Sequence, residues 1–315
     1  MRHSLSPGPT TLHGVFSRDL RPVLTIDSGD TVEVAVPDAG WHEFAMTRPL
    51  RWERMKKVAA DPGPGAGHCL IGPIAVRGAQ PGMTLEIRID EVVPTSWGWG
   101  AGGGWDSPLN SALGLGEGAD NCRVMWEVDA AGGVATNQFG DKVRLRPFPG
   151  VVGMPPPGVG SHSTVPPRKW GGNLDCRELV AGASLFLPVP VAGGLLSLGD
   201  GHGAQGDGEL SGIAIECGLE RLVVTVVLHE DLRLSHPRAE TPAGRITFGV
   251  APTLDRAAVI ATDGMLEWMG ELWDIGRARA LQLASLAVDL RVTQAVNGVV
   301  GVHAVLVEDR IQAVG

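Results

Sequence analysis

Glycine and proline punctuate this chain so densely that its apolar residues fall into short runs, and short apolar runs parted by turn residues fold as strands. The 315 residues include 45 glycines and 23 prolines against 43% apolar side chains. The glycines lie between apolar runs such as Leu222–Leu228 and not in low-complexity tracts, which argues for an ordered core. Val23–Ile26 leads through the turn-forming Asp27-Ser28-Gly29-Asp30 into Thr31–Val36. Apolar and polar residues alternate from Met83 to Asp90 and the run continues to Val93, the pattern of a half-buried strand, with Ile71–Val76 expected as its partner. Further strands are expected at Ser184–Val191, Leu195–Leu198, Leu210–Cys217 and Leu222–Leu228, and an extended run at Ala287–Ala295 before the Asn297-Gly298 turn.

Helix enters late. Apolar residues recur three and four apart over Arg256–Trp273, and a second helix over Arg277–Leu286 follows the break at Gly276. The expected architecture is mainly β, in sandwich- or barrel-like layers with a late α-helical hairpin, and α+β by strict counting. Residues 1–190 form its N-terminal mainly-β region and residues 191–315 its C-terminal region, either as two regions or as one closely packed unit. Trp97–Gly104 is expected to be a Gly-rich surface loop, the alternative being an aromatic flap over a substrate. Pro-rich turns, Met154–Pro157 and Val165–Pro167, frame His162-Ser163-Thr164.

The charge balance excludes some partners. With 26 basic and 35 acidic residues the net charge is −9, no basic stripe is present, and nucleic acid is not expected to bind. An acidic surface favours a neutral or cationic small molecule. Residues 1–14 lack the apolar run of a signal peptide, no stretch reaches membrane-spanning length, and Cys69, Cys122, Cys176 and Cys217 are widely spaced. Free thiols in a reducing compartment and a cytoplasmic location, away from membranes, are the expectation.

Chemistry concentrates in Leu198–Glu216, where Asp200, His202, Gln205, Asp207, Glu209 and Glu216 stand among six glycines. Asp200 and His202 are two residues apart, so on an extended strand both leave the same face, a natural ligand pair for a divalent cation of zinc type. Asp207 and Glu209 repeat that spacing, and Gln205 offers a carbonyl oxygen between the pairs. Glu216 ends an otherwise apolar run, where partial desolvation raises a carboxyl toward general-base range. Gly-Asp-Gly is also an ordinary turn sequence and a lone histidine is often structural, but six such groups in nineteen residues are costly to bury without a ligand. An acidic Gly-rich loop suits calcium as well, so a non-catalytic calcium- or sugar-binding β module is the rival, as is a catalytic zinc beside a structural calcium on Asp207 and Glu209.

The stretch Gly199–Glu209, with Gly212–Glu216 after it, resembles the signature of the acetamidase/formamidase family. Pro22–Val32, Gly72–Gly82, His162–Asp175 and Asp289–Ala304 agree with that family in the same order, so the likeness runs through nearly the whole chain. It implies a metal-dependent, mainly β hydrolase, often dimeric, that converts small linear amides to a carboxylic acid and ammonia. Asn173 and Asp175 fall in one of the matching stretches, which favours Asp175 as a further metal ligand and Asn173 as a group that steadies the oxyanion, over a plain Asx turn. His68 is equally a ligand or a loop histidine. The expected site thus has Asp200, His202, Asp175, His68 and Glu209 around the metal, with Glu216 or Glu209 as general base. The charged run Arg51–Lys57 within Trp41–Ala66 departs from the family pattern and leaves the acyl group unspecified. A thiol nucleophile at Cys69 beside His68 is the rival enzyme reading; chain neighbours on a strand face opposite ways, which opposes it.

Overall fold

The computed structural model describes residues 1–59 and 66–311, so part of the Trp41–Ala66 region lies outside the described residues. The chain is mainly β, as its patterning predicts, and its strands form two sheets. The first runs Arg2–Leu5, Asp30–Val36, Leu219–His229, Thr84–Pro94, Ser184–Pro188, Arg238–Thr241, Gly244–Ala251, Val300–Leu306, Val288–Gln294 in spatial order. The second runs Lys142–Arg144, Val134–Asn137, Cys122–Asp129, Trp97–Gly102, Glu216–Cys217, Leu196–His202, Phe148–Gly153, Gly171–Asn173, and Leu70–Val76 joins it beside Leu196–His202. Each sheet draws strands from both sides of residue 190. No helix among the described residues is long and apolar enough to cross a membrane.

Alternation builds the core between the layers. Val32, Val34 and Val36 of one strand, Leu85, Ile87 and Ile89 of another, and Leu222, Val224 and Val226 of a third pack with Ile71, Ile74, Val152, Leu196 and Leu198 from the second sheet. The late helices span Leu254–Trp273 and Arg277–Ala287, close to their expected bounds. Thr253 caps the first by accepting the Arg256 N–H, and Asp274 ends it in the left-handed region at φ 50°. Ala257, Ala261, Met265 and Met269 lay its apolar stripe over Val302, Ala304 and Leu306, covering the far end of the first sheet.

Three expectations are corrected. Ile71–Val76 does not pair with the Thr84–Pro94 strand; it lies in the other sheet against Leu196–Gly199, and Thr84–Pro94 sits between Leu219–His229 and Ser184–Pro188. Trp97–Gly104 is not a loop, because Trp97–Gly102 is a strand paired with both Cys122–Asp129 and Glu216. The Trp-Gly alternation is a period-2 pattern with one face stripped of side chains: a Cβ on Gly98 would stand 2.8 Å from the Glu216 carbonyl oxygen. Leu210–Cys217 is not one strand either. Gly212 turns it at φ +75°, and only Glu216–Cys217 joins the sheet.

Candidate active site

The site forms where one strand changes partners. Along Leu196–His202, Gly199 pairs with Leu70 on one side while Gly201 and His202 pair with Cys217 and Glu216. Asp200 stands at the changeover with φ 58°, so the expected extended geometry is locally broken there, yet both side chains end up buried and adjacent: Asp200 Oδ1 is 3.3 Å from His202 Nε2. Across the ladder, between the Pro149–Gly201 and Val151–Gly199 pairs, lies Gly150. A Cβ there would meet Asp200 Oδ2 at 2.6 Å and Asp175 Oδ1 at 2.8 Å, so only glycine leaves room for both carboxylates.

Two further acids close the cluster. Asp175 and Glu209 also hold left-handed backbones, at φ 48° and 46°, a conformation unusual for residues with a Cβ. Glu216 Oε1 accepts the Ala214 N–H at 2.9 Å, and its Oε2 lies 3.5 Å from His202 Nε2. Ligand atoms of Asp175, Asp200 and His202 lie within 4.8 Å of one another, and so do those of His202, Glu209 and Glu216. The imidazole is oriented from behind: His202 Nδ1 meets Gln205 Oε1 at 2.8 Å, while Gln205 Nε2 donates to the Asp175 carbonyl at 2.8 Å. That second bond fixes which end of the amide faces the ring, so Nδ1 donates and Nε2 is turned toward the acids. Gln294 and Asn297 donate to Asp175 Oδ2 at 3.2 and 3.3 Å. Asp175 Oδ1, Glu209 Oε2 and Glu216 Oε2 are left buried with no hydrogen-bond partner.

Four carboxyls around one imidazole are electrostatically unbalanced. Burial pushes Glu209 up to about 8, with His202 opposing and Glu216 and Asp200 adding. Burial raises Glu216 against the pull of His202, and it raises Asp175 well above the carboxylate range with help from Glu209 and Asp200. Burial disfavours charge on His202, but Glu216 and Asp200 outweigh it and hold the imidazolium well above its ordinary value. Burial likewise opposes ionisation of Asp200, and the His202 and His68 charges overcome it and keep this carboxyl low. The cluster therefore lacks positive charge, and its unpartnered oxygens with one ring nitrogen form a donor set that suits a divalent cation.

A cavity of about 210 Å³ opens onto the cluster, walled by Asp200, His202, Glu209 and Glu216 and also by His68, Asn173, Trp99, Gly40 and Asn297. His68 therefore lines the cavity but stands outside both groups of mutually close ligand atoms; its Nδ1 lies 2.9 Å from Thr164 Oγ1. Asn173 donates its amide to the Val165 carbonyl at 3.0 Å, which leaves Oδ1 as a buried, unpartnered acceptor. It presents an acceptor where the sequence led us to expect an oxyanion donor. Asp207 lies 3.9 Å from Arg177 Nε and belongs to neither group.

Cys69 is fully buried beside the site but absent from the cavity wall, and burial, with Asp38 adding, pushes its thiol far up. No thiolate is available there to attack. His13 is held by the Val15 carbonyl and Ser197, and burial lowers it to about 4. His303 bonds Thr293 in the core, as its apolar neighbours suggest.

Several residues that shape the site were invisible to motif reading. Asp38 is buried and accepts from Trp99 Nε1 at 2.6 Å, His42 N at 2.7 Å and Gly40 N at 3.2 Å, with His42 Nδ1 at 2.8 Å, so it fixes the wall opposite the acids. Gln294 and Asn297 lie in Asp289–Ala304, a stretch whose pattern pointed to the site without assigning either a role.

The profile of the acetamidase/formamidase family matches residues 2–158 and 158–237. The acetamidase of Mycolicibacterium smegmatis is 29% identical over 222 residues, which is 52% of this chain and 53% of that protein. The chain thus spans about half the length of this curated relative. Crystal structures of acetamidases from Bacillus halodurans and Yersinia enterocolitica each align with a TM-score of 0.81, at 26% and 25% identity. They cover 97% and 99% of this chain and 97% and 94% of their own. From the profile match, with the shared fold beside it, the chain belongs to the acetamidase/formamidase family.

Proposed function

We propose that this protein hydrolyses small linear amides to a carboxylic acid and ammonia, with a divalent cation, zinc by its donor set, held by Asp200, His202 and Asp175. The observation that carries this reading is the convergence of Asp200, His202, Glu209 and Glu216 on one cavity of about 210 Å³, with Asp175 grouped beside Asp200 and His202 and unpartnered buried oxygens on Asp175, Glu209 and Glu216. That volume falls below the roughly 300–1,000 Å³ of pockets for drug-sized ligands and suits a molecule of a few heavy atoms plus a water. A cation bound there supplies positive charge to the carbonyl oxygen and acidifies a nearby water.

The side chains divide the proton work. Glu216 is oriented by the Ala214 N–H, lines the cavity and keeps Oε2 without a hydrogen-bond partner, which suits it to take the proton from the attacking water. Glu209, buried with its Oε2 unpartnered, is placed to deliver a proton to the departing nitrogen as the C–N bond breaks. Asn173 Oδ1 accepts from the substrate's N–H, which favours an amide over an ester of the same shape. The same reading takes the chain as a cytoplasmic homodimer; three buried, unpaired cysteines support a reducing compartment.

The test is ammonia release from formamide and acetamide before and after chelation, with metal content measured on the same samples. Activity that falls with the metal and returns with added zinc supports the proposal. Full turnover by metal-free protein overturns the metal role. Tightly bound calcium with no release from a panel of short amides turns the reading to a binding module.

A further inference from the structure

A second and larger cavity, about 870 Å³, opens on the other side of the segment that walls the acidic site. The two share Glu209 and Ile213 and are otherwise separate in their linings. Its floor is apolar, built from Trp126, Leu145, Ile213 and Ile215. Leu210 is 67% exposed, a large side chain left in water at the mouth.

One rim is cationic. Arg144, Arg146 and Arg177 line it, with Arg291 behind. Glu178 is buried and takes bonds from Arg146 and Arg291. Arg177 Nε lies 3.8 Å from Glu178 and 3.9 Å from Asp207, beyond hydrogen-bonding distance, and this buried N–H donates no hydrogen bond among the described residues. Three carboxylates, Glu178, Asp207 and Asp289, face four guanidinium groups, a local excess of positive charge in a chain whose net charge is −9.

We propose that this basin is a separate binding site for a monocarboxylate with an apolar chain or ring, its carboxylate on the Arg144–Arg177 rim and its apolar part against Trp126, Leu145 and Leu210. A volume near 870 Å³ falls within the range that encloses such a ligand. Guanidinium forks match a carboxylate, and Arg144 and the half-buried Arg146 and Arg177 present theirs along this wall. The neighbouring Asp207 carboxyl disfavours a dianion such as phosphate, and the apolar floor disfavours a bare small anion. The assignment stands independently of the chemistry at the inner site.

Calorimetric titration of the full chain with hexanoate tests it, with acetate, hexan-1-ol and inorganic phosphate as comparison ligands. Hexanoate is expected to bind saturably at one site per chain, and each comparison ligand at least about tenfold more weakly. Acetate also separates an amphipathic acid from the short acids that amide hydrolysis releases. Arg144→Glu and Leu210→Asp, both at exposed positions, are each expected to weaken hexanoate about fivefold or more without changing Tm. The proposal fails if hexanoate shows no saturable binding, as when a second copy of the chain covers the basin. It also fails if hexan-1-ol binds equally well, or if both variants bind hexanoate as the parent does, which places the acid elsewhere.

Discussion

Gly150→Ala removes no donor, acceptor or charge from the carboxylate cluster, so it isolates geometry from chemistry. The added methyl would stand 2.6 Å from Asp200 Oδ2, 2.8 Å from Asp175 Oδ1 and 3.0 Å from the Asp200 carbonyl, where ordinary contact begins at 3.4 Å. The acids must therefore retreat by somewhat under about 1 Å, and neither is a loose end. Asp175 Oδ2 is tethered by Gln294 and Asn297, and Asp200 is set by a left-handed backbone within a buried strand. Overpacking of this kind costs about 1–3 kcal/mol of stability. A misplacement of about 1 Å among reacting groups costs about 100-fold in rate. Ammonia release from the best small amide is expected to fall about 100-fold, with the urea midpoint and the bound metal both reduced. Gly206→Ala, in the glycine-rich segment that carries Asp200 and Glu209, is the control, because its Cβ meets nothing within 4 Å. Parent-like rate and stability in Gly150→Ala, or equal losses in both variants, would refute the packing argument.

Two further outcomes follow from the same geometry. Glu209 is raised from 4.5 to about 8 in the folded chain, so between those values the native state binds more protons than the unfolded one. The contribution of Glu209 to the stability of chelator-treated protein is therefore fully present below about pH 4.5 and is lost as pH climbs through 8; urea melts across that window should show the slope, and Glu209→Gln should flatten it. Asp38→Asn replaces a carboxylate that accepts from Trp99, Gly40 and His42 by an amide with one acceptor, so Trp99 is expected to lose its anchor and KM to rise about tenfold with a smaller change in kcat. An unchanged KM in that variant would show that the wall holds without it.

What the sequence made legible was whatever local periodicity encodes. The Thr31–Val36 and Met83–Val93 alternations and the three-and-four spacing after Arg256 each report a side-chain environment, and each became the element its period requires. Pairing is not a local property: Ile71–Val76 is buried throughout its length, and nothing in such a run says which sheet it joins. Trp97–Gly102 misled because its glycines look like flexibility, whereas their missing side chains admit the Glu216 strand. At the site, Asp200 and His202 were readable because they share one strand, and Glu209 and Glu216 because they follow within one segment. Asp38, Trp99, Gln294 and Asn297 arrive from separate elements, and only the fold makes them neighbours.

The conformations of the acids were the least accessible to sequence reasoning, and they are the most informative. Non-glycine residues avoid the left-handed region at a cost of about 1–2 kcal/mol each, yet Asp175, Asp200 and Glu209 all occupy it. Each then places a buried carboxyl beside the others, and at Asp175 and Glu209 burial and like charge oppose ionisation as well. A sequence selected for stability alone would have no reason to hold three such backbones around one histidine and to combine both penalties at two of them. Packing from Gly150, Gln205, Gln294 and Asn297 holds them there, so the rest of the fold offsets a local arrangement that is useful only to a ligand able to balance its charge.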